Sequence, residues 1–419
     1  MRAGFLVVFS LAVVVSGPAT AGEKVRLTLG EAIRRAENVS PDLRSSSAEV
    51  LGARAGLRRH KAFLPSNPFV SVGLQPRLSD DIGASYGVAV SQEIELARQS
   101  GLRLRVARAE LGQFEAHRES VRLTAIAQVK SAFISALGAR ERVELARTEA
   151  EQARRLAEEA ASARGASTVS RMEANIAAAQ AARAERDLAL AEKAWGDALG
   201  LLRYYLAYPA DQELELVGEL ELPRGEPPPL STLIGHALEN RPDWVAQQRA
   251  FDAADERVRL RRRERIPNVT VTASVSRFEG DTFGGADVGF YLPVLHRGDV
   301  EVEEALQARE RARADLDDTR RIVEWEVGQA YRRYVAAVEA FEILRREVLP
   351  RSDENLRLEE ELYARGEVGL VDLIGIRIDA LSARREYVDA LVEYNDARVE
   401  LERSVGGSLP AEKRESKRS

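Results

Sequence analysis

Much of the chain repeats apolar residues with the spacing of an amphipathic helix. In the clearest stretch, apolar residues recur alternately every four and every three positions, which keeps one apolar seam on one helix face and favours packing against a partner helix. The members of this seam are Val323, Val327, Ala330, Tyr334, Ala337, Phe341, Leu344 and Val348. A partial copy in the first half of the chain consists of Ile126, Val129, Phe133, Ala136 and Val143.

Four shorter stretches alternate apolar residues with polar or small ones, as strands with one apolar face do. They cover residues 69–75, 85–95, 268–277 and 286–294. About ten such residues suffice for a tilted strand to cross a bilayer, but a soluble β-sandwich shows the same alternation. The strands alone therefore leave both interpretations open.

The chain repeats itself after about 200 residues, which indicates an internal duplication. Three motifs return in the same order and with nearly the same offset. They are ENVSPD at 37–42 with ENRPD at 239–243, LPSN at 64–67 with IPN at 266–268, and Arg164-Gly165 with Arg365-Gly366.

Each copy is predicted to run helix, two strands, very long helix, tight turn, helix. The helices are expected at 42–62, 102–163 and 169–207 in the first copy and at 242–264, 299–364 and 370–405 in the second. At 1.5 Å per residue, the second very long helix extends about 100 Å, and such lengths call for coiled-coil or tubular packing. Pro350 lacks a backbone donor and is expected to bend that helix.

The ends of the chain and the middle complete the division into segments. Residues 1–21 are predicted to be a secretory signal peptide, because Arg2 precedes a short apolar run and Ala19-Thr20-Ala21 fits a cleavage site. The first repeat is assigned to 22–207 and the second to 230–407. Residues 208–229 hold a short strand and a proline-rich linker between them, and 408–419 form a disordered tail.

Composition narrows the possible functions. The net charge is −6 with both signs interspersed, so no nucleic-acid partner is expected. The chain has no cysteine, which excludes disulfides, thiolate metal sites and a lipidated N-terminal cysteine. No phosphate-cradling loop, nucleophile with a base, or metal-ligand spacing is present among the residues, the four histidines included, so we expect neither an enzyme nor a cofactor or bound metal.

The helices alone would also fit an ordinary coiled-coil rod. The number of strands distinguishes such a rod from a closed tube. Four strands cannot close a barrel around a channel, and they leave sheet edges unpaired. Three chains would supply twelve strands and remove every edge. The predicted fold is therefore mainly α with β, a duplicated chain whose trimer forms a 12-stranded β-barrel continuing into a long α-barrel.

The chain also resembles a known family, the TolC-like outer-membrane efflux factors, over nearly the whole mature length. The resemblance is carried by LTLGEAI at 27–33, VSQEI at 90–94, VLP at 348–350, YARG at 363–366 and Asp372-Leu373. LPSNP at 64–68 and SQEIEL at 91–96 are most similar to the heavy-metal (cobalt-zinc-cadmium) efflux branch.

The resemblance implies a homotrimer in the Gram-negative outer membrane, with its helical tunnel in the periplasm. It implies a passive conduit that docks on a periplasmic adaptor and an inner-membrane pump, expected to be of the resistance-nodulation-division type, and exports heavy-metal cations or small toxic compounds. Two alternatives stay open: an outer-membrane channel for type I protein secretion, and a periplasmic coiled-coil adaptor or scaffold.

The ends of the two helical hairpins are the predicted inner entrance. Threefold symmetry turns any inward side chain into a ring, and charged rings tune which ions pass. The candidate gate or adaptor-docking residues are Arg164, Gly165, Arg171, Tyr363, Arg365, Gly366, Glu367 and Asp372. Members of the family often carry a second acidic residue three positions after Asp372, where this chain has Gly375.

Overall fold

The computed structural model describes residues 24–61, 64–76, 84–165, 170–223, 227–278 and 280–409. The predicted signal peptide, the turn that follows Gly165 and the predicted tail beyond residue 409 lie outside the described residues. Within the described ranges, no helix is both long and apolar enough to cross a membrane.

Two copies of one arrangement follow each other along the chain. The first copy consists of β1 (Val25–Thr28), α1 (Leu29–Val39), α2 (Pro41–Arg59), β2 (Phe69–Pro76), β3 (Ala84–Ile94), α3 (Gln99–Gly165) and α4 (Arg171–Tyr205). The second consists of β4 (Leu214–Val217), α5 (Leu230–Asn240), α6 (Pro242–Glu264), β5 (Val269–Phe278), β6 (Asp281–Phe290), α7 (Asp299–Ile343), a π turn (Leu344–Val348), α8 (Leu349–Arg365) and α9 (Leu370–Ser404).

Matching elements have matching lengths. Helices α1 and α5 each have 11 residues, and α4 and α9 each have 35. Together, α7, the π turn and α8 are as long as the 67-residue α3, about 100 Å. The duplicated fold predicted from the sequence is therefore confirmed.

The short helices α1 and α5 are additions that the sequence interpretation missed. Helix α1 begins with a capping box, in which the Thr28 hydroxyl accepts a hydrogen bond from the Glu31 amide and the Glu31 carboxylate accepts one from the Thr28 amide. It ends where Ser40 caps α2 and Pro41 occupies the first helical position. A helix this short, with a cap at each end, is easily overlooked in the sequence. The Thr28-x-x-Glu31 pattern is the signal that identifies it.

Two other expectations were wrong in detail. Strand β6 covers Asp281–Phe290 and not 286–294, because it pairs with β5 from a tight turn at Gly280, whose φ is +98°. Its three glycines at 284, 285 and 289 hide the alternation. The disturbance expected at Pro350 takes the form of the π turn just before it, where the Leu349 amide donates to the Leu344 carbonyl.

Strands β2, β3, β5 and β6 form one antiparallel sheet in that order, and β1 pairs in parallel with β4. The helices lie side by side below the four-stranded sheet. Along α3, the half nearer the sheet packs on α2 and α6, and the other half packs on α4 and α9. Shorter helices therefore stand end to end beside each long one.

Equivalent apolar clusters hold the middle of each copy. In the second, the predicted heptad seam is buried from Val323 to Phe341 and packs against α9, where the rings of Tyr334 and Tyr394 lie 5.7 Å apart. Leu344 and Val348 are only half-buried, because the π turn breaks the heptad spacing. The first copy has the corresponding cluster around Phe133.

Arg241 is the most deeply buried charged side chain among the described residues, with 5% of it exposed. Its guanidinium donates to both carboxylate oxygens of Asp243, at 3.0 and 2.6 Å, to Glu326 at 2.7 Å and to the Ser404 carbonyl at 3.1 Å. Burial opposes the charged form of Asp243, but the hydrogen bonds and charge of Arg241 outweigh it and lower the pKa of that carboxyl. Arg241 therefore ties α5 and α6 to α7 and to the end of α9.

We expect Arg241→Met to lower the free energy of unfolding by about 3 kcal/mol, because it leaves two partly buried carboxylates without their cation. Thermal melting followed by circular dichroism in detergent measures this. The matched change Arg249→Met, at an exposed position of α6, should cost less than about 0.5 kcal/mol.

The effect should also depend on pH. The lowered pKa of Asp243 contributes stability above its ordinary pKa of about 3.9, and this is lost as the pH falls through the lowered value. The difference between the wild type and Arg241→Met should therefore shrink below about pH 4. A difference that stays constant down to about pH 2 would contradict this account.

Candidate functional site

The register of the sheet collects the apolar residues of all four strands on one face. Pairing sets Val72 beside Val88 and Val88 beside Val275. The apolar residues on this face are Val70, Val72, Leu74, Tyr86, Val88, Val90, Ile94, Val269, Val271, Ala273, Val275, Ala286, Val288 and Phe290. Most of them are strongly exposed in a single chain: Val72 by 77% and Val288 by 68%. A sheet face of this kind needs an apolar medium or a protein partner.

The opposite face is built from small and polar residues. It carries glycine, alanine, serine and threonine along most of its length, and the Ser91 and Thr272 hydroxyls are hydrogen-bonded across strands at 2.9 Å. Phe69, Phe278 and Phe283, near strand ends, are the large apolar residues here. The sheet thus separates an apolar side from a wettable side, as a wall between lipid and an aqueous lumen does.

Hydrogen bonds fix the sheet to the helices where they meet. The Gln99 side chain is buried and donates to the Ile266 carbonyl at 3.2 Å and to Asn268 Oδ1 at 3.1 Å. Asn268 in turn donates to Glu93 at 2.7 Å. This junction joins the start of α3 to the strands of both copies, so the sheet and the helical column are held in one orientation.

At the far end of the column, one apolar cluster joins both hairpin ends. It contains residues of α3, α4 and α9, and Tyr363 of α8 packs against it. Its buried members are Leu156, Ala160, Ala174, Ala177, Leu370, Leu373 and Ile374. The hairpin ends of the two copies are therefore neighbours.

Gly366 ends α8 with a Schellman motif. Its φ is +73°, its amide donates to the Tyr363 carbonyl at 2.9 Å, and the Glu367 amide donates to the Leu362 carbonyl at 3.0 Å. Only glycine adopts this left-handed conformation without strain. The conformation turns the chain toward α9 within four residues.

Two carboxylates cap the helices that leave the hairpin ends. Glu173 accepts a hydrogen bond from the Ser170 amide at 2.8 Å, and Asp372 accepts one from the Gly369 amide at 3.2 Å. A Cβ at Gly369 would lie 3.3 Å from Asp372 Oδ2 and 4.0 Å from Glu173 Oε1, so both carboxylates converge on this point. The hydroxyl and amide of Ser170 lower the pKa of Glu173, and Glu173 is therefore ionised near neutral pH.

The structure brings most of the predicted entrance residues to this end. Arg171 opens α4 and is exposed, and Arg365 is exposed and lies 3.4 Å from Glu361 and 4.0 Å from Glu367. Arg164 and Gly165 are the last residues of α3, and the turn after them is outside the described part of the chain. Glu173 was missed, although the Ser170-x-x-Glu173 capping box announces it. Glu173 places a second carboxylate near Asp372, although position 375, where members of the family often have an acidic residue, is a glycine in this chain.

Across the described ranges, no group of three or more histidine, aspartate and glutamate side chains is arranged to hold an ion. His236, for example, lies against Asn240 of its own helix, at 3.2 Å.

Solved structures share this fold. A membrane protein from Pseudomonas aeruginosa superposes with a TM-score of 0.78 at 20% identity, over 90% of this chain and 93% of that one. The open state of the outer membrane channel MtrE from Neisseria gonorrhoeae superposes with a TM-score of 0.76 at 20% identity, over 91% and 89%.

Sequence comparison points to one family. The cobalt-zinc-cadmium resistance protein CzcC of Cupriavidus metallidurans is 24% identical over 385 residues, which make up 91% of this chain and 90% of that protein. Residues 233–407 match the family Outer membrane efflux protein. These matches confirm the predicted resemblance to outer-membrane efflux proteins. The predicted general function, a channel component of the outer membrane, and the predicted location, with the helical part in the periplasm, are also confirmed.

Two glycines of the efflux protein's hairpin end should respond in opposite directions to alanine. Gly366→Ala should destabilise the end of α8 by about 1 kcal/mol, because of its positive φ. Gly375→Ala, inside α9 with nothing within 4 Å of its Cβ position, should stabilise α9 by about 0.5 to 1 kcal/mol.

Hydrogen–deuterium exchange of the peptides that cover the two helices measures both effects. Faster exchange at the end of α8 for Gly366→Ala, with slower exchange in α9 for Gly375→Ala, is expected. Equal protection in both variants would show that the Schellman motif does not hold the turn.

Proposed function

We propose that three copies of this chain close into one conduit that carries solutes from the periplasm to the exterior. The observation that carries the proposal is the sheet, which presents an exposed apolar face, a small polar face and two unpaired outer edges at β2 and β6. Backbone groups on such edges must be satisfied within protein when they lie in lipid. Pairing β6 of one copy with β2 of the next satisfies all of them at once and yields twelve strands.

The same assembly would turn the helices into a tunnel. Each chain contributes columns about 100 Å long, fixed to the sheet by the Gln99 junction. Small residues on the polar sheet face would leave a wide, wetted bore. No step in this mechanism makes or breaks a covalent bond; the protein contributes a shaped, hydrated path.

The hairpin ends would form the inner entrance. Three copies place six capping carboxylates, from Glu173 and Asp372, around the axis, with Arg171, Arg365 and Glu367 beside them. Such a ring raises the local concentration of cations and disfavours anions. The proposed role of these residues is therefore cation selection and docking of the next component.

Channels of this family form trimers and work with a periplasmic adaptor and an inner-membrane pump. We propose a pump of the resistance-nodulation-division type and heavy-metal cations as the exported substrate. Support for the substrate comes from the name of the relative CzcC, a cobalt-zinc-cadmium resistance protein, and agrees with a cation-selective entrance. Neither the adaptor alternative nor the protein-secretion alternative has a specific observation in its favour.

The entrance can be tested by removing its charge without removing its caps. Glu173→Gln combined with Asp372→Asn keeps a hydrogen-bond acceptor at each helix start, so the fold should persist. In planar bilayers under a salt gradient, the reversal potential of this variant should shift toward lower cation selectivity, with at least about a twofold lower permeability ratio. Glu159→Gln, an exposed acid within α3, is the matched control and should behave as the wild type.

A selectivity equal to that of the wild type in the double variant would remove these residues from the entrance. The absence of any conductance from the wild-type protein would contradict the conduit itself.

The substrate needs a separate test. A strain lacking this protein should become more sensitive to cobalt, zinc and cadmium by at least about fourfold in the growth-inhibiting concentration, because export would stop at the outer membrane. Plasmid-borne wild type should restore resistance. Unchanged metal sensitivity together with increased sensitivity to organic toxicants would reject the metal assignment and keep the conduit.

A further inference from the structure

An arginine-lined groove lies where the sheet meets the helices. It occupies ≈ 630 Å³ between the start of α3 and the end of α6. Arg98, Arg105, Arg259, Arg262 and Arg263 all contribute to its walls, together with Leu96. The groove lies within one chain, so assembly of further copies is not needed to form it.

The positive charge of this groove is not neutralised by the protein. Two of the five arginines are paired: Arg105 with Glu256 at 2.9 Å, and Arg259 with Glu256 and Asp255, both at 2.8 Å. Arg98, Arg262 and Arg263 are exposed, and in the described part of the chain their guanidinium groups have no carboxylate or hydrogen-bond partner. Most arginines elsewhere on the column are paired, so an unpaired group of three is unusual here.

Two features of its position make an arginine at residue 98 unfavourable. Its φ is +56°, in the left-handed region where an arginine is strained. It also immediately precedes the long helix α3, whose positive N-terminal end repels a cation. Favourable interaction with a helix C-terminus accounts for Arg262 and Arg263 at the end of α6, but not for Arg98. An anion in the groove would offset both costs.

The groove opens on the lipid side of the wall. Ile94, on the apolar sheet face, and Leu96, which follows it, are 41% and 61% exposed. Glu95 between them points the other way, to the Ser100 amide at 2.6 Å and to Arg103. The unpaired arginines are thus continuous with the apolar face, at the end of β3 where the sheet meets the helices.

We infer that this groove binds the phosphate of an anionic phospholipid headgroup in the periplasmic leaflet. The inference rests on the proposed function, since it needs the sheet to lie in a membrane. Arginine forks bind phosphate oxygens with two parallel hydrogen bonds. Gly101, with nothing within 4 Å of its Cβ position, leaves room for the headgroup, and Leu96 lies where an acyl chain begins.

The test uses the full-length protein in detergent and counts bound lipids by native mass spectrometry. Phosphatidylglycerol and phosphatidylcholine are supplied in equal amounts, and inorganic phosphate is added in a separate arm. The variant Arg98→Gln, Arg262→Gln, Arg263→Gln is compared with a control of equal charge change, Arg183→Gln, Arg311→Gln, Arg357→Gln. The control arginines are exposed, unpaired and remote from the groove.

The wild type and the control should retain phosphatidylglycerol in preference to phosphatidylcholine. The groove variant should lose this preference, with affinity falling about fivefold for each arginine and about 100-fold for all three. Equal loss in the control would mean that only net charge matters and would overturn the site. So would an unchanged groove variant, or displacement of the lipid by millimolar inorganic phosphate.

Single-channel conductance on the same preparations separates this inference from the proposed function. Protein that conducts but shows no preference for the anionic lipid refutes the groove alone. Protein that does not conduct refutes the conduit.

Discussion

The outer edges of β2 and β6 impose the constraint on which the rest of the structure depends. Each edge is a row of backbone amides and carbonyls, and every such group left unpaired in hydrocarbon costs several kcal/mol. The apolar face of the sheet favours a hydrocarbon environment, whereas the edges must have all their backbone groups paired. Both requirements are met only when protein covers the edges. A single chain supplies the apolar face, but its sheet edges are paired only by neighbouring chains.

Closure of the sheet creates a mismatch of spacing that the helices must absorb. Strands lie about 4.8 Å apart, whereas packed helices lie about 8 to 10 Å apart. The sheet and the column therefore cannot continue smoothly into each other. The buried hydrogen bonds of Gln99 and Asn268 sit where this change occurs, and polar groups with defined directions hold the angle better than apolar packing. Arg241 performs a similar fixing role at the middle of the column.

Much of the fold was predictable because long periodic patterns are hard to misread. The seam from Val323 to Phe341 and the helix Pro242–Glu264 are present in the structure as expected. Short capped elements such as α1, and the glycine-rich strand β6, were missed or misplaced because an 11-residue helix and a strand with three glycines carry little periodicity. At the hairpin ends, the sequence indicated Asp372 through a family pattern, but only geometry brought Glu173 to the same point.

The π turn before Pro350 has a consequence for any residue map of this column. One extra residue enters the helix there, and each residue of an α-helix accounts for about 100° of rotation. Side chains of α8 therefore point in a direction offset by that angle from the one obtained by extending the heptad count of α7. Positions for cysteine labels or cross-links in α8 must therefore be counted anew from Leu349, because positions extrapolated from the heptads of α7 would be wrong by that angle.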